Sequence, residues 1–161
     1  MDFYNQIAKG YDGLYLEEQS SKLSIIKSSI ETGNNTKILD VGCGSGISSQ
    51  FECRVVGVDP SIELIKQNPK PKIIGIAEML PFKNNSFDYV ISVTSIHNFK
   101  NIKKSIGEIK RVGKENFVFS VLKKSVKFDL INELIQKSFI IEKVVDGGKD
   151  VIYFCGNKLP S

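Results

Sequence analysis

Lys37–Gly46 reads KILDVGCGSG, and its two halves decide the fold. Lys37–Val41 is a short, apolar, β-branched run. Such a run suits a strand buried on both faces, which places it inside a parallel sheet. Gly42-Cys43-Gly44-Ser45-Gly46 then breaks the run at once. Glycines at this spacing permit a tight turn and let backbone N–H groups come close to a ligand. The stretch predicts a strand that ends in a ligand-binding loop, with a helix opening just after it.

The same pattern recurs along the chain. RVVGVD (Arg54–Asp59), KIIGIA (Lys72–Ala77), FDYVISV (Phe87–Val93) and NFVFSVL (Asn116–Leu122) predict four more strands. Segments of helical period lie between or beside them. Leu23, Ile26 and Ile30 share one face of a helix over Ser20–Thr32. Ile102, Ile106, Ile109 and Val112 do so over Asn101–Gly113, and Leu130, Ile131, Leu134 and Ile135 over Val126–Ser138. Ile140–Val145 and Val151–Cys155 flank Asp146-Gly147-Gly148, a turn that makes the last two strands an antiparallel hairpin. The expected fold is α/β: a doubly wound, seven-stranded, mostly parallel sheet with one antiparallel strand.

Composition bounds the function classes. A chain of 161 residues suits a single domain over 1–161, and 41% hydrophobic with 25% charged residues argues against disorder. No stretch approaches the ~20 apolar residues of a membrane span, and the opening MDFYNQIAKG lacks a signal-peptide core. The expectation is a cytoplasmic protein with no membrane partner. Cys43, Cys53 and Cys155 cannot pair completely and form no CxxC, so neither a disulfide framework nor a metal site is expected. Of 22 basic residues, 20 are lysine, whereas nucleic-acid binders favour arginine forks. Lys100–Lys127 carries eight lysines and Arg111 against Glu108 and Glu115. However, Lys103, Lys104, Lys110 and Arg111 fall off the isoleucine stripe, as on a solvated helix face, and no aromatic residues interleave for base stacking.

Two acids mark the site. Asp40 closes the first strand and Asp59 closes the second, 19 positions later. An acid at the second place can accept hydrogen bonds from ribose hydroxyls, and open α/β sheets bind ligands beyond the carboxyl ends of their strands. The dinucleotide pattern G-x-G-x-x-G fails at Ile47, and a Walker lysine is absent.

ILDVGCGSG (Ile38–Gly46) resembles the first motif of the class I S-adenosylmethionine-dependent methyltransferases. VVGVDPS (Val55–Ser61) is similar to their ribose-binding strand and loop, and IAEMLPF (Ile76–Phe82) to their adenine-side loop. NSFDYVIS (Asn85–Ser92) and EIKRVGKENFVFSV (Glu108–Val121) resemble the segments that follow, in the same order. The likeness runs from about Tyr11 to Lys158 and is strongest to small, UbiE-like members.

The resemblance implies S-adenosylmethionine as cofactor and methyl transfer as the activity. Gly42, Cys43, Gly44 and Gly46 would cradle the methionine part, and Asp40 would meet its amino group. Asp59, with Pro60 beside it, would hold the ribose. Ala77 and Glu78 would border the adenine, where Ile76 stands in place of the usual acid. Thr94 and Ser95 would border the sulfonium and the acceptor. His97, the single histidine, is a candidate general base; the alternative is a loop histidine that shapes the pocket. Tyr11 and Tyr15, in an aromatic segment within residues 1–20, form a candidate lid or pack on the sheet edge. A small-molecule acceptor is favoured over RNA or protein. A non-catalytic cofactor-binding subunit that needs a partner is a further alternative, and a homodimer is left open.

Overall fold

A computed structural model describes residues 13–158, with side chains from residue 17 onward. Helix α1 spans Gly13–Ser29. Strands β1 (Lys37–Val41) and β2 (Arg54–Asp59) follow, joined through a 3-10 turn at Ile47–Ser49. A single helical turn, α2 (Ile62–Ile65), leads to β3 (Lys72–Ile74) and then β4 (Phe87–Val93). After a second 3-10 turn at Ile96–Asn98 come α3 (Ile102–Val112), β5 (Gly113–Leu122) and α4 (Phe128–Ser138). The hairpin β6 (Phe139–Asp146) and β7 (Asp150–Asn157) closes the series.

The seven strands lie in the order β3-β2-β1-β4-β5-β7-β6. Neighbours are parallel from β3 to β5, and β7 runs antiparallel to both β5 and β6. The chain first moves outward from β1 to β3, then crosses back to place β4 on the other side of β1. That reversal opens a crevice between the carboxyl ends of β1 and β4, where ligands bind in open α/β sheets.

Alternation along the strands builds two cores. Leu39 and Val41 of β1 face the side covered by Ile102, Ile106 and Ile109 of α3 and Ile131 and Ile135 of α4. Ile38 faces the other side, with Leu23 and Ile26 of α1 and Ile152 and Phe154 of β7. Asp40 shares the parity of Ile38, so the strand that packs both faces also pushes a carboxyl toward α1. The capping of α3 is local: Asn101 accepts a hydrogen bond from the Lys104 N–H at 3.0 Å.

Several boundaries differ from those the sequence suggests. The helix expected over Ser20–Thr32 begins at Gly13 and ends at Ser29, and that expected over Val126–Ser138 begins at Phe128. The run Lys72–Ala77 is strand only to Ile74; the Gly75 N–H donates to the Asp59 carbonyl at 3.2 Å, and Ile76 turns into an isolated bridge with Met79. The strand expected from Asn116 begins at Gly113, so β5 leaves α3 directly. The helix expected to open just after Gly46 is only the 3-10 turn Ile47–Ser49. No helix among the described residues is long and apolar enough to cross a membrane.

Candidate functional site

The glycine loop is held by β2 beneath it. The N–H groups of Gly42 and Cys43 both donate to the Val58 carbonyl, at 2.7 and 3.1 Å. Gly42 has φ +78°, and a Cβ there would stand 2.5 Å from Ser95 Oγ. The loop can therefore approach the end of β4 only as glycine. Gly46, at φ +91°, is likewise seated where a Cβ would run into the Asn68 side chain.

Asp59 fixes the loop from the side. Its Oδ2 accepts from the Gly44 N–H at 3.0 Å and its Oδ1 from the Ser61 N–H at 2.8 Å. A carboxylate has about four lone-pair sites, so both oxygens retain capacity for a ligand's hydroxyls. The acid expected to hold a ribose is thus also a structural clip between two loops.

Asp40 is fully buried. Its Oδ2 accepts from Ser48 Oγ at 2.6 Å and Ser49 Oγ at 2.7 Å, while its Oδ1 has no partner among the described residues. Burial pushes its pKa up to about 6, with the two serines opposing the shift and the charge of Asp59 adding to it. Cys43 is also buried, and desolvation raises its thiol to about 12. A thiol so shifted stays protonated and packs the loop; Asn68 Nδ2 donates to its sulfur at 3.4 Å.

These elements enclose a cleft of about 300 Å³ at the carboxyl ends of the strands. Gly42, Cys43, Gly44, Asp59, Thr94 and Ser95 line it, all six of them legible in the sequence. Ser95 Oγ donates to the Val41 carbonyl at 3.1 Å and stands 2.9 Å from Ser92 Oγ. Thr94 holds a left-handed backbone, φ +52°, which in a β-branched residue costs about 1–3 kcal/mol.

Other expected residues sit elsewhere. Gly46 and Asp40 shape the loop and do not line the cleft, and Pro60 is exposed. Ala77 is buried, and the Glu78 carboxylate accepts from Ser105 Oγ at 3.1 Å; neither lines the cleft. His97 lies in the second 3-10 turn with Nδ1 buried and without a partner among the described residues, and burial lowers its pKa below the usual value. It does not line the cleft, whereas its neighbour Asn98 does. Tyr11 lies outside the described residues, as does the side chain of Tyr15.

Gln19 and Lys22 of α1 escaped the sequence analysis. Gln19 lines the cleft, and Lys22 is buried against Thr94 and Asp150. A larger apolar hollow of about 580 Å³ opens at the opposite end, against the amino ends of β1, β2 and β4. Lys37, Arg54 and Lys70 are its charged residues; it has neither a carboxylate nor a glycine loop.

A glycine loop after the first strand, an acid after the second, and a crevice at the switch point together define a nucleoside-cofactor site on a Rossmann-like sheet. The methyltransferase-domain family matches residues 39–121, more than half of the chain, and the chain belongs to that family. Its cofactor is S-adenosylmethionine. The chain is similar to an uncharacterized protein of Methanocaldococcus jannaschii, at 32% identity over 92% of this chain and 66% of that protein. It is also similar to the ubiquinone biosynthesis O-methyltransferase of Pelagibacter ubique, at 32% identity over 70% of this chain and 53% of the relative. Thus the chain spans between about half and two thirds of the length of these relatives. The PH0226 protein of Pyrococcus horikoshii shares the fold, with a TM-score of 0.77, 19% identity and coverage of 92% of this chain and 93% of that one.

The residues present fit the cofactor. A buried carboxylate oxygen without a partner, Asp40 Oδ1, suits an ammonium or a bridging water. A Cβ at Gly44 would meet, among the described residues beyond its chain neighbours, only Leu64, at 3.7 Å, so the loop backbone there is not covered closely.

Proposed function

We propose that this chain is a single S-adenosylmethionine-binding domain that transfers a methyl group to a small-molecule acceptor. The observation that carries the reading is the joint use of Asp59. One carboxylate clips the glycine loop and still has lone pairs for ribose hydroxyls. The loop backbone between Gly42 and Gly46 would hold the methionine part, with Asp40 answering its amino group. When bound, S-adenosylmethionine supplies an electrophilic methyl carbon and a good leaving group.

What remains for the protein is mostly positioning, because a nucleophile aligned with such a carbon needs little acid–base help. Gln19, Thr94, Ser95 and Asn98 line the cleft and would align the acceptor. His97 stays neutral near neutral pH because burial lowers its pKa. We assign it to shaping the cleft, since its neighbour Asn98 is a residue that lines it. Support for a small acceptor comes from the similarity to the ubiquinone biosynthesis O-methyltransferase.

Cofactor labelled in its methyl group, incubated with the protein and a fractionated extract, tests the activity. Label should appear in the small-molecule fraction. Label in RNA or protein instead would overturn the acceptor class, and transfer to no fraction would overturn the activity.

A further inference from the structure

The connection from β3 to β4, residues 75–86, contains no helix. Beside it, the sheet face that α3 and α4 cover elsewhere stays open, and Val56 of β2 is only half-buried. Val56 lines the apolar hollow of about 580 Å³ at the amino ends of the strands. That volume lies within the ~300–1,000 Å³ of small-molecule pockets.

The aromatic wall of the hollow is held in place by the fold. Phe82 and Phe87 meet edge to face, with 5.0 Å between ring centres. Arg111 donates to the Phe82 carbonyl at 2.7 Å and to the Leu80 carbonyl at 2.9 Å, and Glu108 accepts from the Leu80 N–H at 3.0 Å. Arg111 and Glu108 are themselves joined by hydrogen bonds of 2.6 and 3.1 Å. The segment that carries Phe82 therefore hangs from α3.

The polar side of the hollow is cationic. Lys37 and Arg54 are register partners at the first positions of β1 and β2. They share the strand parity of Leu39 and Val56, so both leave the sheet on the side of the hollow. Neither the Lys37 ammonium nor the Arg54 guanidinium has a hydrogen-bond or ion-pair partner among the described residues. Lys70 is the third cation; its Nζ donates to the Phe51 carbonyl at 2.9 Å and has N–H groups to spare. Among the described residues, no carboxylate lines the hollow. Asp88, beside Phe87, is spent on the Lys37 N–H at 2.8 Å and on Lys114 at 3.3 Å. Like charges set side by side on neighbouring strands repel, and an anion placed between them removes that cost.

We propose that this hollow is a second binding site, separate from the cofactor cleft, and that it takes an amphipathic carboxylate. Its apolar chain would lie against Val56, Phe82 and Phe87, with the head between Lys37 and Arg54. Apolar walls alone suit many molecules; the paired cations select those with an anionic head. Arg54 and Asp59 stand at opposite ends of β2, roughly 17 Å apart at ~3.3 Å per residue, so the two sites fill independently. The proposal stands apart from the cofactor reading.

Calorimetric titration of the whole chain with decanoate tests it. Acetate supplies the head alone, and decyltrimethylammonium supplies the chain with the opposite charge. Decanoate should bind saturably at one site per chain, about tenfold more tightly than either control. Lys37→Gln combined with Arg54→Gln should weaken decanoate binding about tenfold, through lost charge-assisted hydrogen bonds, and leave S-adenosylmethionine binding as in wild type. Val56→Phe, which fills the hollow, should abolish decanoate binding; if that variant does not fold, the double substitution decides the matter. Saturating S-adenosylmethionine should leave decanoate affinity unchanged. No decanoate binding, equal binding of decanoate and decyltrimethylammonium, or an affinity untouched by the double substitution would overturn the proposal. Displacement of decanoate by S-adenosylmethionine would put it in the cofactor cleft and overturn the proposal as well.

Discussion

Replacement of Asp59 by alanine is expected to weaken S-adenosylmethionine binding about a hundredfold, through lost charge-assisted hydrogen bonds to the ribose and through release of the loop. The second cause follows from the geometry. Asp59 Oδ2 holds the Gly44 N–H and Oδ1 holds the Ser61 N–H. Alanine frees both, so the glycine loop loses its lateral clip. Asp59→Asn separates the two causes. An asparagine oxygen can keep one of these N–H groups, but its amide nitrogen then faces the other donor to donor. The asparagine variant should lie between wild type and alanine. Affinity in Asp59→Ala equal to that of wild type would contradict the role given to this acid.

Asp40→Asn should do two opposite things. Burial raises the folded-state pKa of Asp40 from 3.8 to about 6. The folded protein thus binds the proton more tightly than the unfolded chain. Stability is lost as pH rises through the interval from about 4 to 6, and the penalty is fully present at pH 8. Asparagine abolishes it, while its oxygen still accepts from Ser48 and Ser49. The ligand-free variant should gain on the order of 3 kcal/mol at pH 8 and almost nothing near pH 4. The same change should weaken cofactor binding about tenfold at pH 8, because an ammonium loses its counter-charge. In wild type, affinity should rise between pH 5 and pH 7 as Asp40 ionises; in the variant that rise should flatten. Thermal melting across pH and calorimetry at both ends check the pair of effects. A variant less stable than wild type at pH 8 would contradict the account of a buried carboxylate whose Oδ1 has no partner among the described residues.

The contrast between these acids and Lys22 shows what the sequence exposes. Asp40 and Asp59 end apolar runs beside glycines, so local pattern alone places them at the carboxyl ends of two strands. The burial of Lys22 depends on Asp150, which is 128 positions away and reaches it only once β7 lies antiparallel beside β5. On a helix with Leu23 and Ile26 at core positions, a lysine looks like one more solvated cation. Thr94 is intermediate: its place after β4 is readable, but its left-handed backbone and its proton's direction are not, since Ser120, Asp150 and Lys22 impose them. Strand length has the same dependence. KIIGIA is apolar after Lys72, yet the edge strand β3 ends at Ile74, with the Gly75 N–H on the Asp59 carbonyl as its last rung, and Ile76 turns away to bridge Met79. Gly113–Asn116 carries turn-like residues, yet Gly113 pairs with Phe87 and the segment enters the sheet.

Whether the cleft at the switch point takes S-adenosylmethionine is the claim on which the rest depends. Calorimetric titration of the ligand-free chain with S-adenosylmethionine, S-adenosylhomocysteine and NAD in parallel measures it directly. The account predicts saturable binding of the first two at one site per chain and none of the third. Binding of NAD alone, or of none of the three, would contradict it.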